Sequence, residues 1–111
     1  MNTIARDWLA EGHAHYAAEQ WNVAGDAFEH ALALDERQPD VWYRLGNVRQ
    51  EQGRDQSAAE CFERAVALDP SHARAWNNLG VTRQKLGHDA LAAAAYRMAL
   101  EQNGALVQAV L

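Results

Sequence analysis

Large apolar residues in this chain recur three and four positions apart and do not alternate, which is the spacing of helices buried on one side only. The pattern predicts six of them. Three run over about 4–17, 39–52 and 73–86, and three over about 21–34, 55–68 and 89–102, alternating along the chain so that each pair makes a helical hairpin. Gly53 and Gly87 fall where a helix end calls for a left-handed residue. Pro39 falls at a first helical turn, where a missing N–H costs nothing, and Pro70 separates the second hairpin from the third.

The pattern repeats. Trp8, Trp42 and Trp76 are spaced 34 residues apart, and the same interval carries Gly12, Gly46 and Gly80, then Ala24, Ala58 and Ala92, then Phe28, Phe62 and Tyr96, then Ala31, Ala65 and Ala99. Small residues belong where two helix backbones approach. The glycines of the first helices are therefore expected to face Ala24, Ala58 and Ala92 of the second, with the tryptophans and Phe28, Phe62 and Tyr96 filling the space between repeats. Three repeats, at about 5–38, 39–72 and 73–106, are close to the minimum such an array needs for stability.

The stretches WYRLGNVR (Trp42–Arg49), AECF (Ala59–Phe62) and AVALDP (Ala65–Pro70) resemble the tetratricopeptide repeat, and the resemblance covers residues 5 to about 106. It implies an all-α, right-handed α-solenoid forming a single domain over 1–111, with a short helical stub at 105–111. Repeat one departs from the pattern, with Glu11 where Leu45 and Leu79 stand and Glu36 where Pro70 stands. A more polar first repeat is what a cap requires. Repeat three ends Leu100–Gly104 (LEQNG) where the others end in leucine-aspartate, so its last turn is expected to fray or bend.

Composition narrows the chemistry. The net charge of −5 offers no general attraction to phosphate backbones or anionic lipid, which argues against nucleic acid. No apolar run reaches the ~20 residues of a membrane helix, and a single cysteine among 111 residues fits a reducing, cytoplasmic setting. His13 and His15, two apart on a helix, point to different sides and make a poor metal pair. Cys61 shares its column with Ala27 and Ala95 and reads as an inert core thiol. Ser71 reads as a helix cap, and acid pairs such as Asp35 and Glu36 read as solvated surface. The sequence therefore predicts no catalytic residue, no metal and no cofactor.

In the tetratricopeptide family the first helices line a concave groove that receives a peptide. Carried over residue by residue, the resemblance implies a partner-binding groove formed by Arg6, Leu9, His13 and Tyr16, by Tyr43, Arg44, Asn47 and Gln50, and by Arg74, Asn77, Asn78, Val81 and Lys85. Over the whole first-helix face, Arg6, Arg44, Arg74 and Lys85 outnumber Asp40 and Glu51, so the groove opposes the charge of the chain and suits an acidic segment. The clamp by which chaperone-type members hold a C-terminal carboxylate is poorly matched: Leu9, His13 and Arg44 stand in lysine and asparagine slots, and only Arg74 fits in charge. Asn78, just before Leu79-Gly80, resembles the backbone-gripping asparagine of the sugar-transferase branch, and Arg44 and Ala10 break that ladder.

The chain is expected to be a non-enzymatic scaffold that binds a protein or peptide segment. Two alternatives remain. One is self-association through an open C-terminal face of Leu91, Ala94, Ala95 and Met98 with Leu106 and Val110, giving a homo-oligomer. The other is service as the recognition segment of a larger enzyme, such as a glycosyl- or methyltransferase, with this chain an excised piece of a longer array.

Overall fold

A computed structural model describes residues 7–103, and every regular element among them is helical. The helices are α1 (Trp8–Ala17), α2 (Trp21–Leu34), α3 (Pro39–Glu51), α4 (Asp55–Leu68), α5 (Ala73–Lys85) and α6 (Asp89–Asn103). Arg6, Leu106, Val110 and the stub expected at 105–111 lie outside the described residues. Three antiparallel hairpins, α1/α2, α3/α4 and α5/α6, stack so that each second helix packs on the first helix of the next hairpin.

The interior is one apolar seam running through the stack. Phe28 and Leu32 from α2 meet Val41, Leu45 and Val48 from α3, and one repeat further on Phe62 and Val66 from α4 meet Ala75 and Leu79 from α5. Trp42 packs against both clusters and joins them. Its indole Nε1–H donates to the Glu36 carbonyl at 2.7 Å, and Trp76 does the same to Pro70 at 2.8 Å, so each tryptophan also pins the turn before its helix.

The glycines have a different partner from the one the columns implied. A Cβ at Gly12, Gly46 or Gly80 would lie 2.6, 2.5 or 2.7 Å from ring carbons of Phe28, Phe62 or Tyr96 respectively. Each glycine thus makes room for the flat ring of its own hairpin, and those rings lie inside the repeats as well as between them. The alanines Ala24, Ala58 and Ala92 are buried, but they are not what the glycines accommodate.

The hairpin turns show how the repeat closes. Gly53 (φ +74°) and Gly87 (φ +82°) take the left-handed conformation, with Arg54 N–H reaching the Arg49 carbonyl at 2.8 Å and His88 N–H reaching Arg83 at 2.8 Å. The first repeat has the same turn, with Gln20 N–H on the His15 carbonyl at 2.9 Å, but Glu19 occupies the left-handed position at φ 58°. A side chain there costs on the order of 1 kcal/mol relative to glycine. Glu19→Gly should therefore stabilise the fold by about that much, seen as a higher urea midpoint with unchanged slope.

One local expectation changes. Ser71 does not cap α5. His72 does, its ring Nδ1 accepting from Ala75 N–H at 3.1 Å, while Ser71 donates both its hydroxyl (2.6 Å) and its N–H (3.1 Å) to Asp69 Oδ1. The Ser71 hydroxyl holds the Asp69 carboxyl below its ordinary pKa. Asp35 makes the same turn in repeat one, accepting from Arg37 N–H at 3.0 Å, so leucine-aspartate is the stop signal of a second helix. In repeat three Asn103 stands in the aspartate's column and α6 includes it, where α2 and α4 have already stopped; Gly104 of the expected last turn lies outside the described residues.

Candidate functional site

The first helices meet one another along one side of the stack, and their contacts are polar. Asn78 Nδ2 donates to Asn47 Oδ1 at 2.8 Å, and Asn47 Nδ2 donates to Tyr16 Oη at 3.0 Å, a single line of hydrogen bonds crossing α5, α3 and α1. The spacing of 31 residues in both steps is one repeat less about one helical turn, the offset at which neighbouring first helices touch. Beside it Gln50 Nε2 donates to Thr82 Oγ1 at 2.6 Å, and the Thr82 hydroxyl in turn donates to the Asn78 carbonyl at 2.8 Å. Polar groups bonded in this way hold the face in one arrangement and present fixed side chains beside it.

Arg44 and Tyr16 stand at the first junction. The Arg44 guanidinium lies over the Tyr16 ring, 5.2 Å from its centroid, and Tyr16 in turn packs edge-on against Phe28 and Trp21. His13, one turn earlier on α1, packs edge-on against Phe28. Burial, and then the charge of Arg44, holds its pKa below the ordinary value, which keeps the imidazole neutral and leaves Arg44 as the cation at that point.

At the second junction Tyr43 packs against the His72 ring at 4.8 Å, and His72 Nε2 donates to Asp40 Oδ1 at 2.9 Å. Because Nδ1 accepts from the backbone, the proton sits on Nε2. Asp40 is thereby occupied. Arg74 and Lys85 of α5 are exposed, Leu9 and Val81 are half-buried, and Asn77 is only 7% exposed, which removes it from the surface a ligand could touch. Of the expected set, then, Tyr16, Asn47, Asn78 and Gln50 are joined by hydrogen bonds across the helices, Tyr43 and Arg44 lie on rings beside them, and Arg74 and Lys85 project outward.

The face remains basic within the described residues: Arg44, Arg74 and Lys85 stand against Asp40 and Glu51. Two further arginines of the first helices, Arg49 and Arg83, are structural. Arg49 is held by Glu29 and Arg83 by Glu63, each pair linking a first helix to the second helix of the preceding hairpin. Sequence reasoning missed them, although Arg49/Arg83 and Glu29/Glu63 both recur at the repeat interval.

On α6 the expected association face divides. Leu91 is 53% exposed and Ala94 and Met98 are half-buried, whereas Ala95 is fully enclosed in the core with Leu79 and Phe62 and takes no part in an outer surface. Among the described residues no group of three or more metal-ligating side chains converges, and no helix is long and apolar enough to cross a membrane.

Cys61, on α4, is buried against α2 and α3, and burial pushes its thiol pKa up to about 11 from 9.0. Since the folded thiol keeps its proton after an unfolded one would lose it, its contribution to stability declines as pH rises above about 9. Iodoacetamide at neutral pH should leave the folded chain unmodified and label it only in denaturant, as mass spectrometry would report.

A profile of the tetratricopeptide repeat matches residues 9–60 and 43–106. No curated protein sequence matches the chain. Among solved structures it is similar to MamA, at 28% identity and a TM-score of 0.79 over 85% of this chain and 55% of that one. The Sgt2 TPR domain from Aspergillus fumigatus is 27% identical with a TM-score of 0.81, covering 91% of this chain and 67% of its own. The first TPR of Spaghetti (RPAP3), solved bound to the HSP90 peptide SRMEEVD, is 20% identical with a TM-score of 0.83 over 88% and 80% of the two chains, a likeness of fold. The present chain thus spans about half the length of MamA. With the 34-residue columns, the three stacked hairpins and the profile in agreement over most of its length, the chain belongs to the tetratricopeptide-repeat family.

Proposed function

We propose that the chain is a non-enzymatic scaffold that holds an acidic segment of a partner protein along the face made by α1, α3 and α5. The observation that carries this reading is the charge of that face, basic on a protein of net charge −5, together with the hydrogen-bonded line Tyr16–Asn47–Asn78 that fixes it. Arg44, Arg74 and Lys85 supply the cations, and Tyr43, Leu9 and Val81 supply apolar contact. Asn47 and Asn78 already bond to each other, so they order the face, and selectivity falls to the arginines and tyrosines. The peptide held by the RPAP3 domain is acidic towards its end, but at that identity the parallel carries no residue roles. Leu9, His13 and Arg44 give this chain a different set of groups from a lysine- and asparagine-built clamp.

The reading treats residues 1–111 as one domain working in the cytoplasm. Affinity capture from the native cell lysate tests it: the intact chain retains a partner that Arg44→Glu/Arg74→Glu does not, and retention by both would refute it. A second reading, self-association through α6, is favoured by the exposure of Leu91 and Leu100 on that helix. Light scattering over a concentration series decides it, a constant monomer mass at high concentration being the contrary result.

A further inference from the structure

The opposite side of the molecule carries a second surface with its own chemistry. A cleft of about 800 Å³ opens between α2 and α4, with α3 at its floor. The half-buried Trp42 ring is its floor, with Leu32, Leu45 and Cys61 nearly enclosed behind it, and the exposed Ala33, Ala67, Glu36 and Glu60 stand on its walls. Glu29 and Glu63 also line it but are held by Arg49 and Arg83, so the charge left to the cleft is that of Glu36 and Glu60 against Arg64, a net negative one. The flanking helices extend that bias: α2 and α4 together carry Asp26, Glu29, Asp55, Glu60 and Glu63 against one arginine, Arg64.

The two arginines that line the cleft, Arg49 and Arg64, differ in how they are held. Arg49 is nearly enclosed, its side chain 7% exposed and bonded to both Glu29 and Gln52, so it is part of the frame. Arg64 is 62% exposed. Its guanidinium lies over the Trp42 ring at 5.3 Å, and its one ion pair, to the 75%-exposed Glu36, is 3.8 Å long. An exposed pair at that distance adds little. The protein's own side chain thus occupies, loosely, a cation position on an indole face rimmed by carboxylates, and shows what chemistry fits there.

We propose that this cleft is a second docking site, for a cationic amphipathic helix of a partner protein, with a lysine or arginine of that helix replacing Arg64 over Trp42 and its apolar residues meeting Trp42 and the exposed Ala33 and Ala67. The occupant follows from charge complementarity: an aromatic platform already carrying a cation, with Glu36 and Glu60 beside it and exposed Ala33 and Ala67 on the walls. The site is independent of the basic first-helix face, and an acidic segment bound there leaves it open.

The test uses the full chain labelled with ¹⁵N and an alanine-based helical peptide of about four turns, with lysines and leucines on one face, beside its glutamate counterpart. The lysine peptide shifts the Trp42 indole N–H signal and the amides around Glu36 and Glu60, and the shifts saturate. Arg64→Ala tightens binding about threefold to fivefold by vacating the indole. Arg54→Ala, which removes the same charge outside the cleft, changes affinity by less than about twofold, as expected of an exposed charge. Equal tightening by both variants would reduce the effect to surface charge and overturn the proposal. So would shifts confined to α1, α3 and α5, equal binding of the glutamate peptide, or no saturable binding.

Discussion

Gly46→Val should leave the chain largely unfolded in mild urea. The new Cβ would lie 2.5 Å from the Phe62 ring, and Phe62 is fully enclosed, with Ala58, Ala75 and Leu79 around it, so the ring has nowhere to go. Overpacking of this kind costs about 1–3 kcal/mol and more where nothing yields, on a domain whose whole stability is on the order of 5–15 kcal/mol. Three repeats held by nearest-neighbour contacts have little to spare. Two companion variants separate the cause. Gly46→Val/Phe62→Ala should lose less than the two single changes added together, since the cavity of one receives the bulk of the other. Gly53→Ala, strained at φ +74° but with nothing within 4 Å of its Cβ, should cost only about 1 kcal/mol. Urea midpoints read by circular dichroism check all three, and a Gly46→Val midpoint near that of the unaltered chain would show that the ring has room the structure does not give it.

Arg44→Glu/Arg74→Glu should have the largest effect on binding and a small one on the fold. A charge-assisted hydrogen bond contributes about 1.5–3 kcal/mol, so losing two and adding repulsion weakens an acidic ligand by about a hundredfold or more, at tenfold per 1.4 kcal/mol. Neither side chain is part of the buried core: Arg74 is exposed, and Arg44 is half-buried with its guanidinium over the Tyr16 ring. The thermal midpoint should therefore move by only a few degrees, and affinity for the intact chain should fall as salt is raised.

How much of this was legible in the sequence depends on whether a residue's role is set within its own repeat. The six helices, Gly53 and Gly87 in their turns and Pro39 at its helix start all follow from local chemistry repeated every 34 residues, and the structure has them. The partner of Gly46 was not legible, because a column of small residues gives the need for space without saying which neighbour takes it. His72 as the cap of α5 was hidden for a related reason: serine is the commoner cap, and Asp69 draws Ser71 away from that duty. On the binding face, Arg44, Arg74 and Lys85 could be read by register alone. The line Tyr16–Asn47–Asn78 could not, since it joins non-equivalent columns across repeats, and Asn77 was placed outward although the neighbouring helices enclose it. The arginine pairs to Glu29 and Glu63 could have been found from their shared interval, had the core columns been searched for charge.

The measurement that bears most directly on the central claim is a calorimetric titration of the captured partner segment into the intact chain and into Arg44→Glu/Arg74→Glu, with Arg37→Glu as an exposed control outside the first helices. The account predicts saturable binding to the intact chain and to the control, and loss of about a hundredfold or more in the double variant while its circular dichroism stays helical, as two lost charge-assisted bonds require. Equal affinity for the double variant and the intact chain would contradict it, and would move recognition off the face of α1, α3 and α5.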